Sequence, residues 1–163
     1  MMEELGLAYP VIPVNIRPGE QFRPEVLAIS ANNRIAAIVD HAPADGGGPF
    51  SVFETGAILI YLADKTGQFI PADAAARYET IQWLMFQMGG IGPMFGQVGF
   101  FVKFAGKDFE DKRPRDRYVA EAKRLLRVLD AHLAGRQWMV GEQYTIADIA
   151  IFPWVNNLFT FYG

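Results

Sequence analysis

The chain reads as an α/β half followed by an all-α half, and three observations carry that reading. Strand, helix, strand, hairpin strand and helix signals succeed one another through residue 67, after which strand signals cease. Residues 115–134 repeat apolar side chains at helical spacing. Thr145-Ile-Ala-Asp148 has the form of a capping box that starts a further helix. The change of pattern falls near residues 68–74, so the expected domains are 1–70 and 75–163.

Taken in order, residues 2–7 read as the last turns of a helix stopped at Gly6, a residue suited to a left-handed C-cap. YPVIPVNI (9–16) is β-branched and interrupted by Pro10 and Pro13, which predicts a strand with edge character. Residues 18–30 predict a loop and a short helix with Pro24 in its first turn. RIAAIVD (34–40) is an apolar strand, APADGGGP (42–49) a Gly/Pro turn, and FSVFE (50–54) the returning strand of a hairpin. TGAILIYLADKTG (55–67) predicts a helix ending at Gly67. The order implies a mixed sheet.

In the second half, residues 75–97 predict a helix with an irregular middle at QMGGIGPMFGQ. Residues 115–134 form an amphipathic helix, apolar at 118, 119, 122, 125, 126, 129 and 133 and closed by Gly135. Thr145 is its successor's N-cap, with Tyr144 and Ile149 as a hydrophobic staple. Trp83, Phe86, Trp138 and Trp154 are assigned to the core.

Charge and composition exclude several classes. The formal charge is −3, with acids and bases interspersed, so the clustered Lys and Arg of a nucleic-acid surface are missing. Lys112-Arg113-Pro114-Arg115 is flanked by acids and reads as a solvated loop. There is no cysteine, which excludes disulfides, thiolate metal sites and a protein-borne cysteine nucleophile. No uncharged apolar run approaches the roughly 18–20 residues of a membrane span, and the N-terminus lacks signal-peptide features. A soluble, cytoplasmic protein is expected. His41 and His132 have no partner at metal-ligand spacing, so no metal is expected, and His132 is placed at the solvated edge of its helix. Gly90-Ile-Gly92 neither follows a strand nor opens a Rossmann unit, so it is no dinucleotide loop; glycines there suit close approach of two helices or a ligand.

Glu54-Thr55 stands where the hairpin turns into a helix, and two readings are open. The pair could grip a zwitterion, Thr55 holding a carboxylate at the helix start and Glu54 an ammonium. It could equally be a helix cap with an acidic start.

GEQFRPEVLAISANNRIAAIVDHAPADGG, FETGAILIYLADKTG, QWLMFQMGGIGPMFGQ and GEQYTIADIAIFPWVN together resemble the glutathione transferase superfamily. They are most similar to the Nu class and the bacterial glutathione-dependent disulfide-bond oxidoreductases, which are Ure2-like. The resemblance covers essentially the whole chain. It implies a thioredoxin-like N-terminal domain followed by a transferase-type helical domain, and glutathione as cosubstrate. Glu54 and Thr55 would then take the γ-glutamyl amino and carboxylate groups, and the Ile35 backbone would pair with the cysteinyl residue like an added strand. Gln21 matches a glutathione contact, Arg34 a base near the glycyl carboxylate, and Arg117 of the DRY run an arginine that reaches the ligand.

The resemblance also implies departures. The family's first strand, and the turn that contacts the glutathione sulfur, precede the helix ending at Gly6. The chain is therefore expected to be a fragment truncated at both ends, with no catalytic residue of its own, with its sheet missing a strand between 9–16 and 34–40, and with further helices expected after Gly163. Where the family has a cis-proline, this chain has Ile35-Ala36-Ala37, leaving open whether that bond is cis. The implied function is a glutathione transferase or glutathione-dependent disulfide reductase, in which the glutathione thiol does the chemistry on a small electrophile or a disulfide. The second substrate is expected near Met85, Met88, Met94 and Phe95, and a homodimer is expected. The alternative is a non-catalytic glutathione-binding or assembly module, or an inactive fragment.

Overall fold

The computed structural model describes residues 1–163 and divides them into two units, Met1–Ile70 and Pro71–Gly163. In the first unit, Pro24 sits at the start of α1 (Pro24–Ile29), where its missing N–H costs nothing. Strand β1 (Ala37–Asp40) pairs antiparallel with β2 (Phe50–Phe53) in the register Ala37–Phe53 to Asp40–Phe50. The turn between them is shaped by two aspartates, whose Oδ1 atoms accept from Ala42 N–H at 3.0 Å and from Gly47 N–H at 3.0 Å. Helix α2 (Thr55–Thr66) follows and stops at Gly67, whose φ of 66° favours glycine. It supplies the unit's buried apolar residues, Ile58, Leu59, Leu62 and Ala63.

Three expectations meet a different outcome in this unit. Residues 9–16 join no ladder, and the sheet is a two-stranded antiparallel hairpin where a mixed sheet was expected. Pro10 and Pro13 have no N–H to donate, and no other segment offers a partner, so β-branched composition alone does not make a strand here. Val11 and Ile12 are 76% and 81% exposed. Residues 2–7 form a single hydrogen-bonded turn, with Gly6 left-handed at φ 64°, in place of regular helix.

The second unit is helical. Helix α3 (Ala74–Phe86) is capped by Asp73, which accepts from Ala76 N–H at 2.9 Å. A π-turn over Gln87–Ile91 forms the irregular middle and leads into α4 (Gly92–Val102). Glycine is needed there for closeness: a Cβ on Gly92 would lie 2.8 Å from Gln87 Nε2 and 3.5 Å from the Trp154 ring. Helix α5 (Arg113–Leu133) turns its apolar face onto α4, and α6 (Ile146–Asn157) completes the layer. Ile91, Phe95, Val98, Leu125, Leu129 and Ile151 form the core, each contributing about 1.5–3 kcal/mol through burial.

The capping box is present and reaches further than the motif requires. Thr145 Oγ1 accepts from Ala147 N–H at 3.3 Å, and Asp148 Oδ2 accepts from Thr145 N–H at 2.9 Å. The other oxygen, Oδ1, accepts from Met139 N–H at 2.8 Å and ties in the preceding loop. His132 is not solvated as expected. It is half-buried, its ring lies 4.0 Å from that of Trp83, and Nε2 is 2.7 Å from the Met139 carbonyl.

Candidate functional site

Helix α2 begins without a side-chain cap, which leaves its first N–H groups available. Glu54, just ahead of it, has φ 70° and ψ 121°, a conformation that costs a non-glycine residue about 1–3 kcal/mol and collects at functional sites. Its side chain does not fold back onto the helix. Oε1 instead accepts a hydrogen bond from Asn32 Nδ2 at 3.0 Å. The helix-cap reading of Glu54-Thr55 therefore has no support in the geometry, and the pair stands exposed as a carboxylate beside a helix start.

The segment carrying Asn32 is built as a tight loop. Ser30 is buried at 1% exposure, and its hydroxyl donates to the Arg34 carbonyl at 2.9 Å. Asn33 N–H donates to the Ser30 carbonyl at 2.9 Å, and Asn33 adopts φ 59°, which asparagine tolerates better than most residues. The Ile35–Ala36 bond that follows is cis. Because Ala37 pairs with Phe53, the chain on either side, Ile35 on one strand and Glu54-Thr55 on the other, leaves the same end of the hairpin. The ladder stops at Ala37, so Ile35 lies beyond it.

The first unit thus brings Ile35, Glu54 and Thr55 together. Arg34 is exposed on the same loop. Gln21 sits in a 3₁₀ turn just ahead of α1, half-buried, with Oε1 shielded from solvent and lacking a partner. Arg117 is exposed on α5 and belongs to the second unit. Of the residues expected to meet a second substrate, Phe95 is fully buried in the core and cannot do so; a phenylalanine amid apolar helix positions is claimed by packing. Met94 packs against the same core, Met88 is half-buried, and Met85 is 47% exposed. An apolar groove of about 850 Å³ in the second unit is lined by Leu129, Leu133, Trp138, Ile151, Phe152 and Val155, none of which sequence reading assigned to a site.

Two functional-looking features escaped sequence reading. One is Asn32, whose signal was the Asn-Asn pair after a helix end, a turn sequence rich in side-chain donors. The other is Asp40, which accepts from Tyr61 OH at 2.7 Å and from the Lys65 ammonium, while Lys65 also donates to the Ala42 carbonyl at 2.7 Å. The Lys65 and Tyr61 donors, helped by Ala42 N–H, hold the Asp40 carboxyl at about 2. The same carboxylate pushes Tyr61 up to about 12. Opposed shifts of this kind keep the cluster in one protonation state across the neutral range, which suits a tether between the hairpin turn and α2.

Residues 92–162 match the family model described as glutathione S-transferase, C-terminal domain. The disulfide-bond oxidoreductase YfcG of Escherichia coli K12 is 51% identical over 155 residues, covering 95% of this chain and 71% of YfcG. The chain belongs to the glutathione transferase family. Another family relative, the disulfide-bond oxidoreductase YghU of the same strain, is 40% identical over 164 residues, 97% of this chain and 55% of YghU. A crystal structure of a glutathione transferase from Pseudomonas putida, with one glutathione disulfide bound per subunit, is 63% identical. It superposes with a TM-score of 0.95 over 99% of this chain and 69% of that one. The fold described above is thus the glutathione transferase fold, represented over somewhat more than half to about 70% of these relatives' lengths.

Proposed function

We propose that the chain binds glutathione in its first unit and presents the tripeptide thiol for disulfide reduction, with addition of the thiolate to small electrophiles as a second reaction of the same site. The Pseudomonas putida transferase, 63% identical and holding glutathione disulfide, carries the reading. The local geometry supports it: a carboxylate and free helix N–H groups stand beside the exposed Ile35 loop. In this reading Glu54 takes the γ-glutamyl ammonium and Thr55, at the start of α2, the α-carboxylate. Ile35 pairs with the cysteinyl backbone as an added strand. Gln21 and Arg34 hold the rest of the peptide, Arg34 near the glycyl carboxylate. Residues 1–70 form the glutathione-holding domain and 75–163 the domain that meets the second substrate, with exposed Met85 as a contact.

With no cysteine in the chain, the sulfur chemistry belongs to glutathione. Its thiolate attacks one sulfur of a disulfide, the S–S bond breaks, and one thiolate leaves and takes up a proton from solvent. A second glutathione thiolate then attacks the glutathione sulfur of the mixed disulfide. Glutathione disulfide forms and the second thiol is released, so two glutathiones are oxidised and one disulfide is reduced. The chain's part is to orient the tripeptide, and none of its residues is assigned to activating the thiol. No helix is long and apolar enough to cross a membrane. A cytoplasmic homodimer, working where glutathione is kept reduced, completes the proposal.

Calorimetric titration with glutathione, together with glutathione-dependent turnover of bis(2-hydroxyethyl) disulfide, tests it. Glu54→Ala is expected to weaken glutathione binding by about tenfold or more, the worth of a charge-assisted hydrogen bond. Unchanged affinity in that variant overturns the site. Binding without turnover reduces the protein to a glutathione-binding module.

A further inference from the structure

We infer that Asn32 is a positioning residue for glutathione recognition: it aims the Glu54 carboxylate at the ligand's γ-glutamyl ammonium. The inference rests on the reading of Glu54 given above. Asn32 Nδ2 lies 3.0 Å from Glu54 Oε1, a contact between segments 22 residues apart. Both side chains are exposed, so burial does not hold either one in place. Glu54 is also set apart by its left-handed backbone, which turns the residue away from the path a helix cap would take. One directed hydrogen bond is therefore what selects among the carboxylate's rotamers.

The choice of an amide matters. A lysine or arginine at 32 would also hold the carboxylate, but it would neutralise the charge an ammonium needs. Asparagine donates one N–H and leaves the formal charge of Glu54 intact, with Oε2 free to accept from the ligand. The amide is carried by a loop that is itself fixed, since buried Ser30 holds the Arg34 carbonyl and Asn33 N–H closes onto Ser30. That same loop delivers Ile35. Asn32 thereby ties the two halves of the site, the cysteinyl-pairing loop and the γ-glutamyl grip, into one arrangement.

A purely structural role would weaken every ligand alike, whereas a positioning role is felt only through the ammonium. Glutathione and its deamino analogue, glutaryl-cysteinyl-glycine, are titrated into the wild-type chain, Asn32→Ala, the near-isosteric Asn32→Leu, Glu54→Gln and the Asn32→Ala/Glu54→Gln double variant. Circular dichroism confirms folding of each. Asn32→Ala and Asn32→Leu are expected to lose about fivefold in affinity for glutathione and to bind the analogue within about twofold of wild type. Adding Asn32→Ala to Glu54→Gln is expected to cost nothing further. Equal losses for both ligands, no loss for glutathione, or full additivity in the double variant would overturn the inference while leaving Glu54 in place. Failure of the parent reading looks different: wild type would bind glutathione and the analogue equally well and Glu54→Gln would change neither, and the role of Asn32 would fall with it.

Discussion

The two units hold themselves together by different means. In Pro71–Gly163, thirteen apolar residues are buried, drawn from α3 to α6 and the segments between them, and they include the large side chains Phe95, Leu84, Ile91, Leu125 and Met139. In Met1–Ile70 the buried apolar residues number four and all lie on α2, while Val11, Ile12, Ile16, Phe22, Ile35 and Phe50 are at least half exposed. Order there comes from directed polar bonds: Ser30 to Arg34, Asn32 to Glu54, and Asp40 to Tyr61 and Lys65. Packing is tolerant of solvent conditions and intolerant of lost volume. Polar tethers have the opposite sensitivities, and the proposed site is built on them.

The largest effect that sharpens this contrast belongs to Phe95. Truncating a fully buried phenylalanine leaves a cavity that packed helices cannot close, so Phe95→Ala is expected to cost about 4 kcal/mol, read from urea unfolding. A cost below about 1 kcal/mol would mean that the helical core is far looser than its burial indicates. Asp148→Ala comes next. It removes acceptors from Met139 N–H and Thr145 N–H in a site only 8% exposed, and about 3 kcal/mol is expected from two orphaned donors and a lost cap. Asn at 148 should recover part of that, since one oxygen survives.

The first unit answers to pH instead. Asp40 is depressed in the folded protein, so its contribution is complete above the carboxylate's unfolded value and is lost as pH falls through about 2. Tyr61 is raised, so its contribution is complete below the phenol's unfolded value and is lost as pH rises through about 12. Between those limits the hairpin turn stays tied to α2. Lys65 is the largest cause of the Asp40 depression and the Tyr61 hydroxyl the next. Lys65→Met should therefore raise the Asp40 carboxyl further than Tyr61→Phe does, as read from the carboxyl carbon in an NMR titration. The reverse order would break the account of the tether.

What the sequence made legible follows the same division. Helix ends at Gly67 and Gly135, the hairpin, the Thr145 capping box and the interruption at residues 87–91 are local features, written within a few residues of where they act. The Glu54-Thr55 pair was legible as a candidate, but the bond that holds the Glu54 carboxylate comes from Asn32, 22 residues away, and no local signal announces it. His132 looked solvated on its own helix, yet its partner Trp83 lies on α3. Phe95 was expected beside a second substrate through the family resemblance; the packing of α5 shows it to be core. Residues 9–16 carry strand composition, but a strand exists only as a pair.

That segment supplies the smallest expected effect and the sharpest check on the comparison. Val11 is 76% exposed in a stretch that joins no ladder, so trimming it should leave unfolding free energy within about 0.5 kcal/mol of wild type. Ile12→Ala, at 81% exposure, should behave alike, and amide hydrogens at residues 11 and 12 should exchange with solvent far faster than those of α5. A residue paired in a sheet or covered by apolar surface would behave differently on both counts. If Val11→Ala costs more than about 1 kcal/mol and the amide of residue 11 is protected, residues 9–16 are covered in solution. The first unit would then own a packed layer of its own, and the contrast between packing and polar tethering would no longer separate the two halves.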